Sequence, residues 1–408
     1  MKLLIVVDAF PPMRTSAAVH MHDLALELIR NDHQVAVITP TSSKNVSFSE
    51  KIFDGCKLIE ISTLKTKDIS YIRRSIAEFL SPLIMYRKLR LTSIAGESFD
   101  GIIWYSPSIF FGPLISLLKI KYKCPAYLVL RDMFPDWMLD LGLIKQGLSY
   151  YLLKLFEAYQ YKVADHIGIQ APGNFKYFNV GFFKNFKPKV QLLWTWVTPA
   201  GPPESCSINL TNTEFDGRIN FVYAGNMGVA QDFDLVMSLA SLYKGRSDIG
   251  FVFVGRGSEV NRLKKIALSY DLKNVHFFDE IESREIPALY AQCSIGLVAL
   301  DLRHKSNNIP GKFLSYMQSG LPVLARLNYG NDLVQLIEDY QVGASYVGSS
   351  DREFMNVANQ LIESLASDKN FPVRCKHLAN TLFSTENAAS QIIGALTSGN
   401  HENPLPPR

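Results

Sequence analysis

Cysteine is scarce and scattered. The 408-residue chain has five, at positions 56, 124, 206, 293 and 375, and no two stand in a Cys-x-x-Cys spacing. That excludes a disulfide framework and a thiolate zinc site, and it fits a reducing compartment. Histidine is sparse as well, eight in all. His20 and His22 lie two apart on a helical pattern, so they face different sides and cannot ligate one ion together. His33 opens a strand pattern and reads as structural. Asp232-Phe-Asp234 has a metal-like look, but its acids open a helix, where acids belong. No metal site and no cofactor are expected. The formal net charge is only +4 and base-reading motifs are missing, which argues against nucleic acid as a partner. The opening MKLLIVVD is too quickly charged for a signal peptide and reads as a first strand. One run, GIIWYSPSIFFGPLISLL at 101–118, nears spanning length without a charge. Pro107, Pro113 and three serines interrupt it, so the expectation is a buried strand ending at Trp104-Tyr105 and a proline-started core helix.

What is present is core. Hydrophobic residues make up 47% and charged residues 20%, enough for two or three packed domains. KLLIVVDAF, HQVAVITP, FDGIIWYS, PAYLVLRD and ADHIGIQA are apolar runs of strand length, separated by helical patterns such as 71–92 and 147–163. This alternation predicts a doubly wound parallel sheet. A stretch at 199–217, rich in Pro, Ser, Thr, Asn and Gly, reads as a linker. The alternation then restarts with RINFVYAGNMG, IGFVFVGRG, NVHFFDE, SIGLVAL and PVLAR. The expected organisation is a first domain over 1–198, a second over 218–383, a capped helix over 384–397 with Ser384 as a plausible cap, and a disordered tail over 398–408.

Charge divides unevenly. Residues 1–200 carry 24 Lys+Arg against 16 Asp+Glu, while the rest of the chain carries 18 against 22. The stretch 145–189 holds seven lysines, two acids and many aromatics, and 71–90 adds YIRRSIAEFLSPLIMYRKLR. Such segments are either solvated helix faces over core aromatics or a surface attracted to anionic lipid.

Ligands of doubly wound sheets sit beyond the carboxyl ends of the strands. In the second half four successive strands each deliver a candidate there. Gly225, Asn226, Met227 and Gly228 form a tight strand-to-helix turn whose N–H groups suit a diphosphate. Arg256 follows the next strand and suits a bidentate phosphate contact. Glu280 and Ile281 offer backbone to the edge of a base. Pro310, Gly311, Lys312 and Ser315 open a helix, and Lys312 places a cation where the helix terminus already favours an anion. Asp132 ends a strand of the first half, either as a helix cap or partner of Arg131, or as a contact for a transferred sugar or acceptor hydroxyl.

In order along the chain, YAGNMGVAQDFD, FVGRGSE, NVHFFDEIESREIPALYAQCSIGLVAL and IPGKFLSYMQSGLPVLA resemble family 4 glycosyltransferases of the GT-B fold, in the bacterial polysaccharide (O-antigen or capsule) assembly branch. DAFPPMRTSAAVHMHDLALELIRNDHQVAVIT, RDMFPDWMLDLG and YKVADHIGIQAPGNFKYF extend the likeness over nearly the whole chain. It implies two Rossmann-like domains facing across a cleft and a last helix crossing back to the first. It also implies a retaining, metal-independent hexosyltransferase acting on a UDP-linked nucleotide-sugar donor, the sugar N-acetylated or deoxy. The implied acceptor is a polyprenyl-diphosphate-linked saccharide, with the enzyme peripheral on the inner face of the cytoplasmic membrane. By the same likeness Asp132, Arg256 and Lys312 are the catalytic candidates, and Ser16 joins the substrate-binding residues. The family's paired glutamates are Asn307 and Ser315 here, and its Gly-Gly loop is Thr15-Ser16-Ala17. The rival readings are a non-catalytic sugar-nucleotide-binding assembly subunit and a UDP-sugar epimerase of the same fold.

Overall fold

The computed structural model describes residues 1–13, 15–42, 46–65, 71–106, 108–140, 142–179, 181–198, 205–303, 307 and 309–398, without the side chains of 71–75, 181, 182, 188 and 230. The expected tail from 399 and the first part of the expected linker, 199–204, lie outside the described residues, as does Pro107. The chain forms two compact units. One is Met1–Trp196 with the segment from Thr385, and the other is Val197–Ser384.

The first unit is built on an eight-stranded sheet of β1 (Lys2–Val6), β2 (Gln34–Thr41), β3 (Phe48–Phe53), β4 (Cys56–Ser62), β5 (Gly101–Ser106), β6 (Ala126–Leu130), β7 (His166–Ile169) and β8 (Val190–Leu192). Their order is β3-β4-β2-β1-β5-β6-β7-β8, with all pairs parallel except β3–β4. The central strands are apolar throughout because helices cover both faces. Met85, Leu89, Leu114, Ile115, Leu118 and Tyr161, from the helices Tyr71–Leu89, Gly112–Tyr122 and Leu148–Val163, fill one side. Met21, Leu24, Ala388 and Ile392, from the helices Ser16–Arg30 and Thr385–Thr397, fill the other. The 101–118 run is β5 followed by a helix with Pro113 in its first turn. Among the described residues, no helix is long and apolar enough to cross a membrane. The strand–helix reading overlooked the β3–β4 hairpin, which turns on Asp54 (φ 47°) and Gly55 (φ 81°). Two residues at positive φ match the right-handed twist of the flanking strands.

The second unit holds β9 (Ile219–Ala224), β10 (Ile249–Val254), β11 (Val275–Phe278), β12 (Ile295–Ala299), β13 (Val323–Arg326) and β14 (Gly343–Tyr346). All pairs are parallel, in the order β11-β10-β9-β12-β13-β14. The order reverses direction between β9 and β12, the switch point at which such sheets open a ligand crevice. Part of the expected linker is pinned to this unit. Ile208, Leu210 and Phe215 are buried, the Ser207 N–H donates to Glu285, and Gln292 both accepts from the Leu210 N–H and donates to the Ile208 carbonyl. Apolar anchors this closely spaced outweigh the turn-rich composition.

Candidate functional site

Lys312 stands at the switch point. It lies in the first turn of the helix Gly311–Ser319, which follows β12, and its side chain reaches over the turn that follows β9. A Cβ placed on Gly225 would meet the Lys312 Cε at 2.9 Å and Nζ at 3.0 Å. The ammonium sits 4.6 Å from the centroid of the buried Tyr223 ring, a cation–π contact. Among the described residues no carboxylate pairs with it. Burial alone pulls the Lys312 pKa down, to about 8.

Sequence explains the position of this helix. Tyr316 is fully buried and donates to the Val222 and Leu297 carbonyls at 3.1 and 3.2 Å. Its ring lies over Gly296, where a Cβ would clash at 2.6 Å. Tyr316 thus fixes the helix across both strands of the switch point, and Lys312, one turn earlier, is carried to the crevice. The helix begins on Pro310 with no side-chain cap, so its first-turn N–H groups add to the positive field of Lys312. The space over Gly311 is open. Ser315 is turned back, its hydroxyl donating to the Gly311 carbonyl at 3.2 Å.

The turn after β9 differs from the sequence reading in one respect. Of its N–H groups, Gly225 donates to the Val254 carbonyl, Met227 to the Arg256 carbonyl at 2.7 Å and Gly228 to the Gln231 side chain at 2.9 Å. The first two hold the turn to the neighbouring strand and loop, the third closes the turn on itself, and none of the three is available as a diphosphate cradle. Asn226 contributes its carbonyl to Tyr223, accepting at 2.8 Å, and Met227 is buried. The positive charge at this turn comes from Lys312 and the helix terminus. Asp232 and Asp234 also separate. Asp232 turns at φ 39° and pairs with buried Arg326 at 2.9 Å, while Asp234 pairs with Arg262 at 2.6 Å and opens the helix Asp234–Leu242.

Arg256 and Glu280 follow adjacent strands and meet each other, Nε to carboxylate, at 3.3 Å; both are largely exposed. Ile281 is half-buried beside them. An incoming phosphate on Arg256 therefore competes with Glu280.

In the first unit the carboxyl edge carries a cluster of which only Ser16 and Asp132 were expected as site residues from sequence. Arg131 donates to the Ser16 hydroxyl at 2.8 Å and to the Tyr105 hydroxyl at 3.1 Å, and Asp132 acts electrostatically on both Arg131 and Tyr105. Burial holds the Tyr105 phenol up to about 12, against the opposing pull of Arg131. His20 is stacked on Trp196 at 3.7 Å, and its Nε2 accepts from the Trp196 backbone N–H, which leaves the ring proton on Nδ1. Burial, aided by Arg131, drives its pKa well below the usual value. His22 instead meets Asp54 at 3.0 Å on another face of the helix. The signal for Arg131 was present in the sequence, because it shares with Asp132 the first loop positions after a buried strand.

These two parallel α/β units have the GT-B fold. WaaG, a glycosyltransferase involved in lipopolysaccharide biosynthesis, matches 98% of this chain over its own full length, with a TM-score of 0.65 and 15% identity. Alr3699/HepE of Anabaena, solved in complex with UDP-glucose, matches 97% of this chain and 99% of its own, with a TM-score of 0.68 and 13% identity. Within that class, residues 211–377 match the family of glycosyl transferases group 1. WbjE of Pseudomonas aeruginosa, described as a probable glycosyltransferase, is 25% identical over 236 residues. Those residues are 56% of this chain and 57% of WbjE, so the match spans less than two thirds of that relative.

Proposed function

We propose that the protein is a retaining glycosyltransferase that moves a hexose, N-acetylated or deoxy, from a UDP-linked donor to a polyprenyl-diphosphate-linked saccharide. The work is assigned to the inner face of the cytoplasmic membrane, in assembly of a surface polysaccharide of the O-antigen or capsule kind. One observation carries this reading: an ammonium with no carboxylate partner among the described residues, joined to an uncapped helix terminus, at the switch point of the second sheet. A diphosphate is the ligand that offsets both. The neighbour solved with UDP-glucose and the neighbour from lipopolysaccharide biosynthesis support the donor class and the pathway class.

As the bond from the sugar to the diphosphate breaks, charge builds on the leaving phosphate. Lys312 and the first turn of its helix meet that charge without reorganising, the electrostatic role that dominates many such barriers. Arg256 joins once Glu280 yields it. Asp132, with Arg131 beside it, is assigned to the acceptor hydroxyl. Lys312 supplies the neutralisation that a divalent cation would otherwise bring, so turnover is expected to persist in excess EDTA. Strict dependence on Mg²⁺ or Mn²⁺ would contradict the assignment.

A second reading has one observation behind it. By the resemblance, Ser315 takes the place of a glutamate that holds the donor's ribose in the family, and its hydroxyl is engaged with its own helix. Loss of that contact favours a subunit that binds the donor without turning it over. Release of UDP from a UDP-sugar only when lipid acceptor is present supports transfer. Binding without turnover supports the assembly subunit, and interconversion of the sugar without acceptor supports an epimerase.

A further inference from the structure

The helix Leu148–Val163 presents large apolar side chains to solvent on the face away from the sheet. Leu148 is 88% exposed and Leu155 67%, with Tyr151, Leu152 and Tyr159 exposed beside them. Spacings of three and four place all five on one stripe. The opposite face is locked by buried polar groups. Glu157 accepts from Tyr161 at 2.8 Å and pairs with Lys154, Lys154 reaches Asp136 at 2.8 Å, and Gln160 accepts from Trp104 at 3.3 Å. This network fixes the roll of the helix, so the stripe is a built feature and cannot rotate inward.

The stripe continues onto a neighbouring helix. Phe156 meets Phe79 of the helix Tyr71–Leu89 at 5.4 Å between ring centroids, and Ile76, Phe79 and Leu83 of that helix are exposed too. The exposed charges on the Leu148–Val163 helix and on the segment 184–187 are all basic, while Asp136 is drawn inward by Lys154. The helix's single acid, Glu157, is buried on the inner side, while Lys145, Lys162, Lys184 and Lys187 are exposed. Two copies joined through this face would oppose like charges, which disfavours self-association. An apolar and aromatic stripe rimmed by lysines complements an anionic bilayer, where apolar side chains enter the headgroup–acyl boundary and lysines remain at the phosphates. We infer that this face inserts into an anionic membrane surface through Leu148, Leu152 and Leu155, with the flanking lysines as its electrostatic rim. The inference rests on the proposed lipid-linked acceptor and is tested apart from it.

Insertion changes the expected response to salt. A face held by charge alone releases once the salt is raised, whereas an inserted face keeps part of its binding. The experiment is co-flotation of the full chain with phosphatidylglycerol-containing and pure phosphatidylcholine vesicles, at low and high salt. Leu152→Glu/Leu155→Glu is expected to lower binding to anionic vesicles about tenfold or more at both salts. Lys184→Gln/Lys187→Gln is expected to weaken low-salt binding and leave the salt-resistant part. Lys189 is left unchanged, because its ammonium donates to the Lys162 and Ala164 carbonyls and holds the end of the helix. Wild-type-like melting and UDP affinity, the latter assigned to the second unit, show that the variants are folded. Undiminished vesicle binding by folded Leu152→Glu/Leu155→Glu would overturn the inference. So would its conversion of a dimer to a monomer with vesicle binding intact. Vesicle binding through this face, with no acceptor-dependent turnover, would uphold the surface and remove the transferase reading instead.

Discussion

Replacing Lys312 with methionine is expected to lower kcat/KM by roughly 30- to 1000-fold, or about 2–4 kcal/mol, the scale of one preorganised charge contact to a developing anion. Methionine preserves the apolar stem and removes the charge, so the loss reports the ammonium and not the packing. Lys312→Arg is not an equivalent control. Arginine carries its charge on a planar fork and keeps its proton far above pH 8, so it alters both the geometry and the titration of the contact. Arg256→Ala is expected to cost less, about 1 kcal/mol, because its partner Glu280 and the surrounding water already screen it. A pH signature follows from the burial of Lys312, whose pKa is about 8. The cation is full below that pH and lost above it, so kcat/KM of the wild type is expected to fall about tenfold per pH unit on the basic side. The methionine variant is expected to lose that limb. Stability runs the other way, rising with pH where activity falls. The unfolded lysine holds its proton to a higher pH than the folded one, so the cost of burying the ammonium is full below about pH 8 and is relieved above it.

The second large effect is structural. Gly255→Ala is expected to destabilise the second unit by about 3 kcal/mol or more, which for a unit of this size is a fall in Tm of roughly 6–12 °C. Gly255 has φ 134°, and a Cβ there would stand 2.2 Å from the Gly225 carbonyl oxygen. Both partners are backbone, so neither can swing aside, and the turn that Lys312 overlies would be displaced. Gly311→Ala is the contrast. Its φ is ordinary and nothing lies within 4 Å, so its Tm is expected to stay level or rise by the helix propensity of alanine, up to about 1 kcal/mol. Differential scanning fluorimetry separates the two. A Gly255→Ala protein that melts with the wild type would show that the stacked turns are not rigid.

The apolar strands were legible because burial on both faces writes itself as continuous Val, Ile, Leu and Phe. The β3–β4 hairpin was not read, although FSEKIF-DG-CKLIEIS carries the Asp-Gly signal, because strand–helix alternation dominated the reading of that half. Lys312 and its helix were legible from punctuation, a proline before and a glycine after. The engagement of the Met227 and Gly228 N–H groups was not, since a Gly-rich turn looks the same whether its amides face a ligand or a neighbouring loop. Arg131, Tyr105 and His20 come from three separate segments and meet only through the order of β1, β5 and β6. No local pattern announces such a cluster.

The central claim is that the donor's diphosphate sits on Lys312, and calorimetric titration with UDP and with uridine tests it most directly. Wild type is expected to bind UDP far more tightly than uridine, and in Lys312→Met that preference is expected to shrink by roughly 30-fold or more while uridine affinity stays the same. An unchanged UDP-over-uridine preference in the folded variant would place the diphosphate elsewhere and contradict the account.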